Sequence, residues 1–388
     1  MNSNSNKLYF KITNAKEKHY GFQYYDGLNI LKEEFNDDPD ASCVPGGFYF
    51  TDINHILEFL DFGIYLREVT LPIDDPDFKM IQDKNNKWRA NKIILGQRYN
   101  LSDVSTFEYL INQGANIHTY DDNAIKWASR VGYLEIVQFL ISNGADIHAG
   151  NNNAVRFASK NGHYDVVNFL ISNRANIHAG NDSALRYASE NAHTDVAEIL
   201  IEYGADIHND DDYPLKYASE KGHLETARML IYKGANIHAE NDYAIKYASL
   251  KGHLVIVKLL IDNGADIHAD NDFALKRASE NGHIDIVKLL IDNGANIYID
   301  DNHALRWASN NGHLDIVELL ISHGANIHAK NDCAIEWASA KGHLAVVKFL
   351  IEHGADIHAD NNYSLRYAFR FGYTDIIKIL IEYGANKY

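Results

Sequence analysis

The chain has 388 residues, 46% of them hydrophobic and 23% charged, the balance of a folded globular protein, which excludes wholesale disorder. Its 36 lysines and arginines face 53 acids, a formal charge of −17 and the wrong sign for a surface that holds nucleic-acid phosphates. Two cysteines far apart, Cys43 and Cys333, lack metal-ligand spacing, which argues against a disulfide framework or a Cys-based zinc site and for a reducing compartment.

The N-terminus, Met1-Asn2-Ser3-Asn4-Ser5-Asn6-Lys7, lacks the apolar core of a leader, and no run approaches the ~20 apolar residues that span a bilayer. A soluble intracellular protein without a membrane partner is expected. Residues 1–90 hold four of the five prolines (Pro39, Pro45, Pro72, Pro76). Residues 8–13, 47–51 and 66–71 are aromatic-rich or alternating and bounded by turn residues, which predicts strands; Ile56, Leu57, Phe59 and Leu60 predict a short helix over 54–62. The expectation is a small α+β domain docked on the first of the helix pairs that follow, shielding an apolar end that repeat arrays must cover.

From Asp121 the chain returns on itself every 30 residues without insertion or deletion, in eight units of 30 and a last one of 28, starting at 121, 151, 181, 211, 241, 271, 301, 331 and 361. Residues 104–118 match the second half of a unit, so a degenerate unit is expected over 91–120 and the repeat region over 91–388. Each unit predicts two short helices. Asp272 and its equivalents are placed to cap the first; Ala274, Leu275 and Ala278 give it a narrow apolar stripe. Gly282 supplies a left-handed stop. Ile286, Val287, Leu289, Leu290 and Ile291 make the second helix apolar on most sides, and Gly294 ends it. A pair this small cannot bury its own apolar face, so the pairs must stack into a mainly α solenoid.

The run Gly312 to Ile327 (Gly-His-Leu-Asp-Ile-Val-x-Leu-Leu-Ile-x-x-Gly-Ala-Asn-Ile) resembles the second half of an ankyrin repeat, and Tyr213-Pro214-Leu215-Lys216-Tyr217-Ala218-Ser219 resembles its opening in altered form. The usual period is ~33 residues. The 30-residue step is similar to that of ankyrin families encoded by giant DNA viruses, and the missing three residues imply a stunted finger between units. Two units depart from the pattern: Arg174 replaces the glycine ending a second helix, and Ala192 stands where Gly-His is expected. Residues 174–193 are the predicted soft joint, because a non-glycine residue in left-handed backbone costs roughly 1 kcal/mol.

Four rows carry candidate chemistry. Fifteen histidines recur, in Gly-His or Ala-His (His163 to His343) or after Ala-Asn/Asp-Ile (His118 to His358); equivalent positions ~8–10 Å apart cannot share one ion, so rings bonded to backbone in the turns are expected, and no metal. Lys126, Arg156, Arg186, Lys216, Lys246, Lys276, Arg306 and Arg366 form a basic row broken by Glu336; a pair with the acid four residues earlier is the expected role. An aromatic ladder follows at Trp127, Phe157, Tyr187, Tyr217, Tyr247, Trp307, Trp337 and Tyr367, interrupted by Arg277. The positions that drift inside the fixed frame are the candidate protein-binding surface: Tyr213, Tyr243, Phe273, Arg277, His303 and Tyr363, with the acidic turns Asp210, Glu240, Asp270 and Asp300.

No nucleophile elbow, phosphate loop or His-Glu-x-x-His is present. The resemblance implies a non-enzymatic, cofactor-free adaptor, monomeric, in the host cytoplasm, that displays its surface to a host or viral protein; a C-terminal F-box is not expected. An alternative is that His19-Tyr20-Gly21 and Gly46-Gly47-Phe48-Tyr49 distantly resemble elements of ADP-ribosyltransferases, which would place His19 and Tyr49 on NAD with Glu68 orienting the acceptor.

Overall fold

A computed structural model describes residues 7–41, 44–83 and 86–386. Cys43 and Tyr388 lie outside the described residues. By internal contacts the chain divides into two compact units: residues 1–188 with 195–205, and residues 189–194 with 206–388.

In the first unit, alternating and aromatic segments form β1 (Tyr9–Thr13), β2 (Lys18–His19), β3 (Phe22–Gln23), β4 (Gly27–Ile30), β5 (Phe48–Asp52), β6 (Tyr65–Thr70), β7 (Met80–Asp83), β8 (Lys87–Ala90) and β9 (Lys92–Asn100). Seven of them make an antiparallel sheet in the order β4-β9-β6-β1-β5-β8-β7. All three expected strands are present, and the expected helix is a 3-10 helix, Ile56–Phe62. The boundary expected at residue 90 falls inside this sheet. Residues 92–100 pair with β4 and β6, so only the second half of the unit expected over 91–120 is helical, as α1 (Val104–Asn112). The nine-residue run of β9 carries no 30-residue signature, which is why the period alone could not assign it.

One sheet face buries Tyr24, Phe48, Phe50, Val69, Trp88, Ile93 and Leu95. The 3-10 helix lies beside the first helix of the first complete unit, α2 (Thr119–Val131), burying Ile56, Leu57 and Leu60. Thr119 donates to the Asn54 carbonyl at 2.9 Å, Asn123 to the Leu57 carbonyl at 2.8 Å, and Arg130 pairs with Asp61. The strand-rich part thus supplies the neighbour that α2 would otherwise lack.

Within each compact unit, first helices pack on first helices and second on second. In the unit starting at 271 these are Ala269–Glu280 and Ile284–Asp292, with Ala274, Leu275, Ala278, Ile286, Val287 and Leu290 almost wholly buried. Small Ala and Ser let the first helices approach closely, while Val and Leu fill the space behind. Gly282 has φ +80°, and a Cβ there would stand 2.7 Å from the His313 ring, so side chains are excluded twice over. That ring occupies the gap and bonds the Glu280 carbonyl at 3.0 Å. His163, His223, His253, His283 and His343 make the same bond to the carbonyl 33 residues earlier, as expected of the Gly-His row.

Arg174 and Ala192 adopt the left-handed conformation of the glycines they replace, with φ 69° and 64°. Ala192→Gly is therefore expected to raise stability by about 1 kcal/mol, seen as a higher urea midpoint at unchanged slope. Arg174→Gly should give a similar gain. Midpoints unmoved by both changes would show that the backbone there carries no strain.

Candidate interaction surface

The 30-residue step is closed by a turn rather than a strand finger. Between units the described residues contain no strand; instead three successive residues adopt left-handed α values, as in Asp270, Asn271 and Asp272 (φ 52°, 57°, 53°). The same triplet recurs from Tyr120–Asp122 to Asp360–Asn362. Left-handed backbone crowds Cβ against the following carbonyl, and Asn, Asp and Gly tolerate it best. That accounts for the Asn-Asp composition at every unit start.

The third residue of each triplet is not the helix cap its position suggested. Asp272 is 3% exposed; its Oδ1 accepts the Asn296 backbone N–H at 2.8 Å, and His268 Nδ1 lies 3.0 Å away. A carboxylate only accepts, so that imidazole nitrogen carries the proton. Equivalent bonds of 2.7–2.9 Å run from Asp122, Asn152, Asp212, Asp242, Asn302 and Asp332 to the amide 24 residues on. These seven turns are each tied to the next one along the chain. The second histidine row (His118, His148, His178, His208, His238, His268, His328, His358) accordingly bonds these side chains and not the backbone expected of it.

At Lys216, Lys246 and Lys276 the basic row is tied between turns, not paired with the acid four residues earlier, whereas Lys126 pairs with Asp121 of its own turn at 3.0 Å and Arg156 bonds Ser183 and Asn153. Lys216 bonds Glu240 at 2.8 Å, Lys246 bonds Asp270, and Lys276 bonds Asp300 at 2.8 Å. The lysine side chains are 6, 8 and 13% exposed and the acids near half, so the cations are consumed and the outer edge of these turns stays acidic. The rule breaks where Lys330 occupies the turn position and Glu336 the lysine position. Arg306 then bonds the Asp300 and Asp301 carbonyls, and Glu336 faces Asp360.

The unit-start aromatics and the ladder merge into one stack. Tyr213 lies on Tyr217 at 4.0 Å between centroids, Tyr217 meets Tyr243 at 6.1 Å, Tyr243 lies on Tyr247 at 4.0 Å, and Tyr247 meets Phe273 at 5.9 Å. Arg277 ends it, its guanidinium 5.1 Å from the Phe273 centroid and 2.5 Å from Glu280. The edge has its own pairing rule: Tyr213 bonds Glu190 at 3.2 Å and Tyr243 bonds Glu220 at 2.7 Å, while Phe273, with no hydroxyl, has Leu250 at the matching position. A spacing of 23 residues in the sequence carried this signal, as 24 did for the lysine pairs. Burial and Glu220 push the Tyr243 phenol well above its usual range.

Tyr213, Tyr243, Phe273 and Arg277 are half-buried in this line, and Asp210, Glu240, Asp270 and Asp300 flank it exposed. His303 is half-buried on Trp307 at 5.7 Å and held down to about 4 by burial and by Arg306, Lys276 and Arg277. Tyr363 belongs to a separate stack with Tyr367 at 4.0 Å and Phe371 beyond. Near the N-terminus, His19 and Tyr49 line one cavity with ring centroids 6.5 Å apart. Glu68 does not join them; its carboxylate accepts the hydroxyls of Tyr99 at 2.7 Å and Tyr109 at 2.6 Å.

A model of ankyrin repeats in sets of three copies matches residues 97–181, 155–241, 238–301 and 305–388, most of the chain. This chain belongs to the ankyrin repeat family. An ankyrin repeat protein of Acanthamoeba polyphaga mimivirus is 58% identical over 135 residues, covering 34% of this chain and 66% of that protein. A second, uncharacterized protein of the same virus is 56% identical over 131 residues, 34% of this chain and 95% of its own length. Another mimivirus ankyrin protein is 44% identical over 149 residues, covering 35% of this chain and 48% of its own length. The chain thus spans just under two thirds of the first relative and about half of the third. Ankyrin repeats are protein–protein interaction modules, generally non-enzymatic, and here the left-handed turn stands where the family's finger projects. Among the described residues no helix is long and apolar enough to cross a membrane.

Proposed function

We propose that the chain is a monomeric adaptor in the cytoplasm of an infected host, holding a host or viral protein against the edge made by the turns at 210, 240, 270 and 300 and the stack from Tyr213 to Arg277. The observation that carries this reading is the continuous stack beside carboxylates whose lysine partners are buried on the inner side. Interfaces draw on Tyr, Phe and Arg for binding energy and on charge for orientation. Such an edge fits a basic protein face, and its sign opposes phosphate backbones.

The test is affinity capture with mass spectrometry on the full chain and on the triple variant Asp210→Asn, Asp211→Asn, Asp301→Asn. Asparagine keeps the left-handed turns and removes charge only. A partner held through this edge should bind at least about tenfold more weakly to the variant and show a shallower salt dependence. Equal capture by both proteins would remove the proposed surface.

A further inference from the structure

We propose that the cavity lined by β1, β5, the β2–β3 hairpin and the 3-10 helix binds a small planar aromatic carboxylate, with the Lys11 ammonium as its counter-ion. This goes beyond the adaptor reading and does not depend on it. Lys11 stands in a strand of aromatic and apolar neighbours and is 5% exposed. Its Nζ donates to the Tyr49 carbonyl at 2.8 Å and lies 4.6 Å from the Tyr24 ring centroid. An ammonium has three donors, and none of the residues lining the cavity is acidic. A buried cation without a counter-ion is costly, and burial pulls Lys11 down to about 7.

The other charged groups near Lys11 do not supply that anion. Arg67, its cross-strand partner on β6, is held by Glu17 at 3.0 Å and Asp26 at 2.5 Å, so those carboxylates already serve a guanidinium. On β8, Arg89 donates to the Tyr49 hydroxyl at 3.3 Å and the Asp38 carbonyl at 2.5 Å. His19 is held down to about 4 by burial and by Lys11, and stays neutral. Lys18 and Lys87 add further cations to the lining. In a chain of net charge −17, this is a positive aromatic chamber.

Its volume is about 150 Å³, and the walls are Tyr24, Tyr49, Phe50, Phe59 and Phe62. A cavity of about that size admits one benzene-sized ring. A flat ring with one carboxylate fills it and places its charge on Lys11, whereas a pyridinium or an amine meets like charge. That distinction separates this site from a nicotinamide pocket built on His19 and Tyr49.

Isothermal titration calorimetry of the full chain with benzoate, benzamide and benzylamine tests it. Benzoate should bind at least about tenfold more tightly than its neutral isostere benzamide, and benzylamine should not bind. Raising the pH from about 6 to about 8.5 should weaken benzoate, with proton uptake near pH 8 visible as heat that depends on the buffer, because the complex needs the ammonium. Lys11→Met, checked for an unchanged melting curve, should erase the preference for benzoate. Equal binding of benzoate and benzamide by the natural chain, or no binding of benzoate at millimolar concentration, would overturn the assignment. So would a tenfold preference persisting in folded Lys11→Met. The pH series on the natural chain decides the question even where the variant does not fold.

Discussion

Asp272→Ala should cost about 2 kcal/mol, whereas Asp272→Asn should cost less than about 1 kcal/mol. Alanine removes the acceptor of the Asn296 N–H and the partner of His268, and leaves the amide of this part-buried turn without its partner, at about 1 kcal/mol. It also places a Cβ without a polar head at φ 53°, adding about 1 kcal/mol of strain. Asparagine retains an acceptor oxygen and a liking for left-handed backbone. Asn152 and Asn302 already do this work, accepting the Asn176 and Asn326 amides at 2.8 Å. The measurement is the urea midpoint of the two variants, with amide exchange across residues 266–302. If Asp272→Ala and Asp272→Asn are equally stable, the tie between turns contributes nothing.

Glu336→Lys should stabilise the protein at pH 8 by about 2 kcal/mol and by less than about 1 kcal/mol at pH 5, where Glu336 is protonated and only the new ion pair contributes. Glu336 stands at a lysine position, is 8% exposed, and its Oε1 is buried without a hydrogen-bond partner. Burial, then Asp360 and Asp332, raise its carboxyl from 4.5 to about 7. A group whose pKa is raised on folding contributes stability that is complete below the unfolded value, about 4.5, and is lost as pH climbs through about 7. Solvent near this edge screens the interaction, which brings the loss to about 1–2 kcal/mol. A lysine there would face Asp360 as Lys276 faces Asp300, adding an ion pair where two acids now meet. Glu336→Gln should flatten the fall in stability between pH 5 and 8 without the gain of a pair. A natural chain whose stability is level over that window would exclude the mechanism.

Much of this architecture was legible in the residues themselves. A period of 30 with Ala-Leu and Val-x-Leu-Leu at constant phase can bury its apolar faces only by stacking, so the helix pairs and their neighbours follow from pattern alone. The Gly-His row was legible for the same reason, since glycine and ring recur together. The first strands were visible as aromatic alternation, but β9 was not: it adjoins the array, and nothing local distinguishes Lys92–Asn100 from a degenerate repeat.

What Asp272, Lys276 and Tyr243 do was readable only from partners 24, 24 and 23 residues away, because a side chain at a turn has several plausible bonds and local spacing favours the nearest. Lys11 shows the limit most plainly: nothing in Tyr9-Phe10-Lys11-Ile12-Thr13 announces a buried ammonium, and only the fold brings the Tyr49 carbonyl and the Tyr24 ring onto it. Period and apolar phase, properties of the chain itself, set the ankyrin array. Burial and the choice among competing polar partners are properties of what surrounds a residue, so the tertiary structure alone decided the left-handed turns, the tied carboxylates, the continuous stack and the chamber around Lys11.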